Sequence, residues 1–250
     1  GCDILLGTDT FVAGWGRVAS RDDFANLTLV VLGAERVKDA TRKLWMDKFG
    51  LWLLEGYGAT ECAPVIAANT EEHHKDGSVG RLMPCMKYRI EPIPGLNSGG
   101  RLHAKGPNVM RGYMRYEAPG LLEPTTAGWH DTGDIVDVDE NGFITIQGRA
   151  KRFAKIGGEM ISLGAVEANI AQVWPDHNHA VVAIDHTSKG EALVLVTDKP
   201  DPDMKRLVKW AKINGVPELM MPKKFVIVKE LPVLGMGKLD YPGIQTLAIE

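Results

Sequence analysis

The run Leu27 to Leu32, short, apolar and closed by Gly33, is the feature that most restricts what this chain can fold into. A segment of that length without polar alternation suits a strand covered on both faces, the usual condition of a parallel sheet. Parallel neighbours need a crossover, and the following residues supply one. Lys38 to Phe49 sets Ala40, Leu44 and Phe49 amid charge, as a helix would, and Gly50 closes it. Leu51 to Leu54 then reads as the next strand, completing a β-α-β unit.

From about Gly80 the pattern changes. Tyr88 to Ile93, Arg101 to Lys105, Asp134 to Asp139 and Phe143 to Gln147 are short strand candidates. Turn chemistry separates them, at Asn97-Ser98-Gly99-Gly100 and, as a hairpin signal, at Asn141-Gly142. After Gly148 a third texture begins. Leu163 to Val173 and Met204 to Ile213 read as helices, Ala180 to Asp185 and Glu191 to Thr197 as a hairpin, and Phe225 to Val228 as a last strand. The fold class is α/β (α+β): a large-domain part over 1–148, β-α-β to about 79 and β-rich from about 80, then a smaller domain over 149–250.

Composition excludes several classes. A net charge of -3 offers no basic face for nucleic acid. Apolar runs fall far short of the roughly 20 residues that span a bilayer. No basic segment followed by an apolar stretch opens the chain, so no signal peptide is expected. Cys2, Cys62 and Cys85 are scattered and odd in number, which suits a reducing, cytoplasmic compartment and neither a disulfide framework nor a zinc site.

Four motifs carry chemistry. Gly56-Tyr57-Gly58-Ala59-Thr60-Glu61 follows an apolar strand; its glycines permit a tight turn, Tyr57 can stack on a base, Thr60 can bond a phosphate and Glu61 can hold Mg²⁺. The hexapeptide alone also fits an ordinary strand-to-loop turn. Trp129 to Asp134 ends in a carboxylate suited to two ribose hydroxyls, although an Asp beside Gly is also a turn former. Gly148 to Glu159 places four cations within seven residues, which reads either as a solvated linker or as a hinge facing a nucleotide. Leu231 to Asp240 puts Lys238 on a glycine loop, where an ammonium can reach charge developing on a phosphate. It is not a Walker A loop, because Leu239 follows Gly237-Lys238.

In this order and at these separations the four motifs resemble the successive core motifs of the adenylate-forming superfamily, which includes acyl-CoA and acyl-carrier-protein synthetases, luciferases and peptide-synthetase adenylation domains. The resemblance covers essentially the whole chain and implies the end of the large domain followed by the small one. Leu54 to Pro64, Gly106 to Tyr113 and Glu117 to Pro124 are similar to the ligase half of the bacterial bifunctional 2-acylglycerophosphoethanolamine acyltransferase/acyl-carrier-protein synthetases. Such parents join an acyltransferase, transmembrane helices and a ligase at the cytoplasmic face of the inner membrane. This stretch itself requires no membrane contact.

The resemblance implies a role for each matching residue. Gly33, Ala34 and Glu35 would pack against adenine, with Tyr57 stacking and Gly58 shaping the loop. Thr60 would contact phosphate and substrate carboxylate, and Glu61 would bind Mg²⁺. Asp134 and Arg149 would hold the ribose of ATP or AMP. Lys151 falls at the hinge and Lys155 at a basic position of the second half-reaction. Gly157 and Gly158 would admit the phosphopantetheine thiol, and Lys238 would bridge the carboxylate and the α-phosphate.

The implied reaction activates a fatty acid as its adenylate and passes the acyl group to the thiol of acyl carrier protein, or alternatively of CoA. Two departures stand out: the Ser/Thr/Gly-rich loop ending in Pro-Lys that grips the β- and γ-phosphates is not among these residues, and Arg101 stands where many relatives carry Glu. The first leaves a different class open, a non-catalytic module that binds AMP and carrier protein. No histidine here is followed at the acyltransferase offset by Asp; Gly14-Trp15-Gly16 mimics a dinucleotide fingerprint only weakly; and His177 and His179 lack a third ligand at metal spacing.

Overall fold

The computed structural model describes residues 2–96, 98–186, 190–235 and 238–249. Asn97 of the expected turn and Gly237 of the lysine loop therefore lie outside the described residues. The chain forms two compact units: Gly1–Glu91 with Gly99–Ile146, and Gln147–Glu250 with Pro92–Ser98. The sequence pattern put the division at 148/149 and gave no sign that the loop at 92–98 groups with the second unit.

The first unit opens with β1 (Ile4–Gly7), α1 (Asp9–Val18), β2 (Leu29–Leu32), α2 (Asp39–Phe49) and β3 (Leu54–Gly58). β1, β2 and β3 are parallel, and β4 (Val65–Ala68) and β5 (Arg81–Leu82) extend the sheet antiparallel beyond β3. The first sheet thus runs past the expected change of texture at residue 80. Helix α2 ends as its sequence implies, on Gly50 at φ 71°. The strand expected over Leu51 to Leu54 begins only at Leu54, and Leu51 to Leu53 form the connection into it.

Two glycines hid α1 from the sequence. Gly14 and Gly16 lie inside it, so the apparent dinucleotide fingerprint is helix interior rather than a strand-to-helix turn. A Cβ on Gly16 would stand 2.7 Å from the Trp45 indole nitrogen, so that glycine permits the close approach of α1 and α2. Trp45 is fully buried and donates to the Val12 carbonyl at 2.8 Å.

The unit's second sheet is built from β6 (Lys87–Glu91) and β7 (Gly100–Lys105), then, after the small hairpin β8 (Gly112–Met114) and β9 (Leu122–Pro124), from β10 (His130–Val138) and β11 (Ile144–Arg149). The strand order is β11-β10-β7-β6. Tyr57 and Ile66 from the first sheet, with Cys62 from the turn between them, share one buried cluster with Leu102, Val136 and Ile144 from the second.

The second unit contains β12 (Phe153–Ile156), β13 (Glu159–Ser162), α3 (Leu163–Val173), β14 (His179–His186), β15 (Gly190–Thr197), α4 (Met204–Ile213), β16 (Lys224–Ile227) and α5 (Tyr241–Ile249). β15 is its centre. One edge pairs with β14 along the whole strand, and the other is shared by β12, at Gly190, and β16, from Val194 to Thr197. Leu193 and Leu195 face the core of α3 and α4, and Val194 and Val196 face that of α5. Both faces are covered, which accounts for the unbroken apolar sequence. Helices α3 and α4 have their expected bounds, each opened by a side-chain cap: Ser162 accepts from the Ala165 amide and Asp203 from the Lys205 amide.

His177 and His179 are both engaged by protein groups. His177 Nδ1 lies 3.1 Å from Asp198. His179 is buried, with Nε2 donating to the Trp174 carbonyl at 2.9 Å and Nδ1 2.8 Å from the Thr197 hydroxyl. Burial holds the His179 imidazole below its ordinary value of 6.5. The unfolded chain therefore binds this proton more readily, so the stabilisation is complete above that value and is lost as pH falls below it. Thermal unfolding should show the second unit weakening between about pH 7 and about pH 5, and His179→Asn should flatten that slope.

Candidate functional site

The candidate residues of the first unit gather where β2 and β3 end. Gly33 follows β2, and a Cβ there would stand 3.8 Å from the Gly56 carbonyl oxygen of the neighbouring strand. Ala34 takes a left-handed φ of 65°. The Glu35 carboxylate accepts from the Thr10 amide at 3.0 Å and the Thr10 hydroxyl at 2.8 Å, so this side chain caps the first turn of α1.

At the end of β3, Tyr57 is buried, and its hydroxyl donates to Asp134 Oδ2 at 2.5 Å. This contact joins the first two motifs across 77 residues. Asp134 reaches it through an irregularity in β10, whose register against β7 shifts between Asp131 and Ile135, with Gly133 at φ 71°. The sequence reading placed Asp134 on a turn leading into a strand; the strand instead starts at His130, and Asp134 sits in a bulge within it. Thr132 steadies the bulge, its hydroxyl donating to the Leu102 carbonyl and accepting from the Asp134 amide.

Beyond Tyr57 the backbone folds tightly. A Cβ on Gly58 would lie 2.1 Å from the Pro64 carbonyl oxygen, which also accepts from the Ala59 amide. Only glycine fits there. Thr60, Glu61 and Cys62 form a 3₁₀ turn, ended by Ala63 at φ 50°. Thr60 is exposed and Glu61 half-buried. Two residues that sequence reasoning did not assign support this turn. Tyr113 donates to Glu61 Oε1 at 2.9 Å, and Asn108 Nδ2 donates to the carbonyls of Cys62 and Val65. Burial and the Glu61 carboxylate both push the Tyr113 phenol above its ordinary value, so it remains a donor at neutral pH. Both residues belong to the Gly106 to Tyr113 segment, but nothing in its spacing reveals a partner 52 residues away.

One carboxylate fixed by a tyrosine suits Mg²⁺, which typically takes one or two protein carboxylates and leaves its remaining positions to phosphates and water. Among the described residues no three His, Cys, Asp or Glu side chains form a self-sufficient metal cage.

The second unit carries Arg149, Lys151, Lys155, Gly157, Gly158 and Lys238. Arg149 ends β11, and Lys151 is exposed in a 3₁₀ turn over Ala150–Arg152. The basic run is therefore followed directly by a hairpin, β12 and β13, whose tip is Gly157-Gly158 at φ 61° and 94°. Lys155 projects from β12 while its amide donates to Glu191. Lys238 is exposed, and its loop is closed at the base by the Leu234 amide donating to the Lys238 carbonyl at 2.7 Å and by a bridge between Val233 and Leu239.

A partly buried network ties the residue beside Lys151 to the root of this loop. Arg152 donates to Glu167 at 2.6 Å and to the Val181 carbonyl, while the Glu167 carboxylate accepts from the Val181 amide. Arg152 also lies over the Tyr241 ring, 3.7 Å from its centroid, and the Tyr241 hydroxyl is 3.3 Å from Glu167. Burial raises the Glu167 carboxyl above the usual range despite the adjacent guanidinium. Sequence reasoning missed Arg152, Glu167 and Tyr241 because each alone reads as an ordinary surface residue.

The first unit is thus an α/β sheet that ends in a Gly-Tyr-Gly-Ala-Thr-Glu turn and is tied by Tyr57 to an aspartate of a second sheet. Residues 2–114 match the AMP-binding enzyme family. A long-chain-fatty-acid–CoA ligase of Salmonella typhimurium is 31% identical over 227 residues, covering 87% of this chain and 40% of that protein. A p-hydroxybenzoic acid–AMP ligase of Mycobacterium tuberculosis is 28% identical, covering 96% of this chain and 35% of its own length. The chain thus spans about two fifths of the length of these curated relatives. Among solved structures, ATP-bound MatB from Rhodopseudomonas palustris superposes with a TM-score of 0.80 at 26% identity, covering 98% of this chain and 50% of that one. The o-succinylbenzoate CoA synthetase of Bacillus subtilis, solved with its acyl-adenylate intermediate, shares the fold at a TM-score of 0.80 and 24% identity, covering 97% of this chain and 50% of its own. Residues 2–114 thus belong to the AMP-binding enzyme family, and the chain shares the fold of adenylate-forming enzymes.

Two substitutions test the supports of the site. Gly58→Ala should cost about 1–3 kcal/mol in chemical denaturation, because the Pro64 carbonyl must move. Glu167→Ala should cost roughly 3–5 kcal/mol by leaving Arg152 without its charge partner, with the loss read by the same measurement.

Proposed function

We propose that this chain is the C-terminal part of an ATP-dependent fatty-acid ligase that forms an acyl-adenylate and transfers the acyl group to a phosphopantetheine thiol. The observation that carries the reading is the buried Tyr57–Asp134 contact, which sets a ribose-type acceptor beside the Thr60-Glu61 turn. The family match over residues 2–114 supports it.

In the first half-reaction a fatty-acid carboxylate oxygen attacks the α-phosphorus of ATP, and the bond to pyrophosphate breaks. Gly33, Ala34 and Glu35 flank the base on one side and Tyr57 on another; Asp134 and Arg149 hold the ribose. Thr60 bonds the α-phosphate and orients the carboxylate. Lys238 offsets the charge developing on the phosphate oxygens. Glu61, held by Tyr113, would ligate Mg²⁺, which when bound polarises the phosphoryl oxygens. In the second half-reaction Lys151 serves as the hinge, Gly157 and Gly158 line the approach of the thiol, and Lys155 faces the site. The thiol sulfur attacks the acyl carbon, its proton is released, and AMP departs.

The segments Gly106 to Tyr113 and Glu117 to Pro124 favour acyl carrier protein as acceptor, in a bifunctional parent that also reacylates lysophospholipid at the cytoplasmic face of the inner membrane. The names of the curated relatives favour CoA. Supplying the two thiols in parallel to one preparation distinguishes them. Among the described residues no helix is long and apolar enough to cross a membrane. A non-catalytic role for these 250 residues predicts AMP binding with no pyrophosphate release.

The decisive comparison is fatty-acid-dependent pyrophosphate release by the full-length ligase and its Lys238→Ala variant. A fall of roughly a hundredfold or more is the expected outcome, as for removal of a major charge-stabilising group. Equal rates would remove Lys238 from the mechanism.

A further inference from the structure

A cleft of about 510 Å³ in the first unit has Lys87, Lys105, Met110, Arg111 and Thr125 among its lining residues. Three of these residues are cationic and none is acidic, in a chain whose net charge is -3. The distribution of acids on the same sheet sharpens the contrast. Toward the other end of β6 and β7, Arg101 is paired with Asp131 and His103 with Glu91. Among the described residues, by contrast, Lys87 and Arg111 have no carboxylate partner, and Lys105 is held by the Ala127 carbonyl at 2.8 Å.

Lys87 and Lys105 also stand directly opposite one another in the β6–β7 ladder. Like charges in that position destabilise a sheet. Lys105 is fixed further by the Trp129 ring, 5.8 Å from its ammonium. The cleft is therefore lined by two lysines, an arginine and a threonine, and the folded protein bears a cross-strand repulsion that an anion would relieve.

We propose that this cleft is a binding site for the phosphate groups of a small molecule. A dianionic phosphate can accept from Lys87, Lys105 and Arg111 together, which neither a monovalent carboxylate nor an apolar ligand can match. The site is distinct from the residues assigned to the nucleotide, although the Met110 amide, on its rim, donates to the Glu61 carbonyl at 2.7 Å. The inference rests on the cleft's own geometry and stands whether or not the chain is part of a ligase.

Calorimetric titration of the 250-residue chain with inorganic pyrophosphate, and separately with adenosine 3′,5′-bisphosphate, tests the proposal. At least one probe should bind, and Lys87→Gln combined with Arg111→Gln should weaken it roughly tenfold or more, the equivalent of one charge-assisted hydrogen bond. The control pair Lys209→Gln and Lys212→Gln, on exposed α4 positions, should leave affinity within about twofold. Binding of pyrophosphate alone would assign the cleft to inorganic diphosphate, and binding of the bisphosphate to a nucleotide phosphate. In the absence of ligand, Lys87→Gln should unfold at an equal or higher temperature, because it removes the cross-strand repulsion. Failure of both probes to bind, or equal weakening by both pairs of substitutions, would overturn the proposal.

Discussion

The hydrogen bond from Tyr57 to Asp134 joins two sheets that sequence places far apart. One partner ends a central strand of the parallel sheet; the other leaves the regular ladder of β10 to meet it. Both are buried, so an uncompensated carboxylate or phenol there would be costly. The same cluster of apolar residues surrounds them from both sheets, so packing and polar satisfaction depend on one arrangement. Leucine or phenylalanine at position 57 could fill the volume, but neither could donate to Asp134.

In the second unit an analogous constraint is centred on Glu167. Its carboxylate receives the Val181 amide, the Arg152 guanidinium and the neighbourhood of Tyr241, joining α3, β14 and the start of α5. A buried ion pair contributes little net stability when compared with an apolar replacement, yet it defines geometry strictly, because any displacement strands a charge. The loop of Lys238 begins its return into α5 two residues before Tyr241. The helix that follows is held by this network, while the Lys238 side chain at the closed base of the loop stays exposed.

Much of this organisation was legible in the sequence. Helices α3 and α4 could be read to their ends, and the structure adds the reason for their starts, the side-chain caps Ser162 and Asp203. The hairpin of β14 and β15 followed from its apolar runs. Helix α1 was hidden by Gly14 and Gly16, and α5 by Pro242 and Gly243, since those residues lower helix propensity until tertiary contacts override it. The hairpin of β12 and β13 was masked by the cations around it and the glycine pair at its tip. At the candidate site, the sequence singled out the motif residues that the structure gathers at the end of β3, but it did not reveal their partners. Tyr113, Asn108 and Glu167 act through contacts separated by many residues, and no local pattern encodes such a pairing.

The bulge in β10 carries a consequence for how this fold can vary. His130 and Asp131 face Ala104 and His103, and the ladder resumes with Ile135 opposite Arg101. Four steps along one strand are thus matched to two along the other, so the bulge holds a surplus of two residues. Removing that surplus would leave the strands on either side with partners they already have. Relatives that have lost or gained residues at this point can therefore keep the sheet intact while abandoning the carboxylate's aim. Chain length between Asp131 and Ile135, more than overall similarity, would separate family members that keep the carboxylate aimed at the tyrosine from those that have kept only the scaffold.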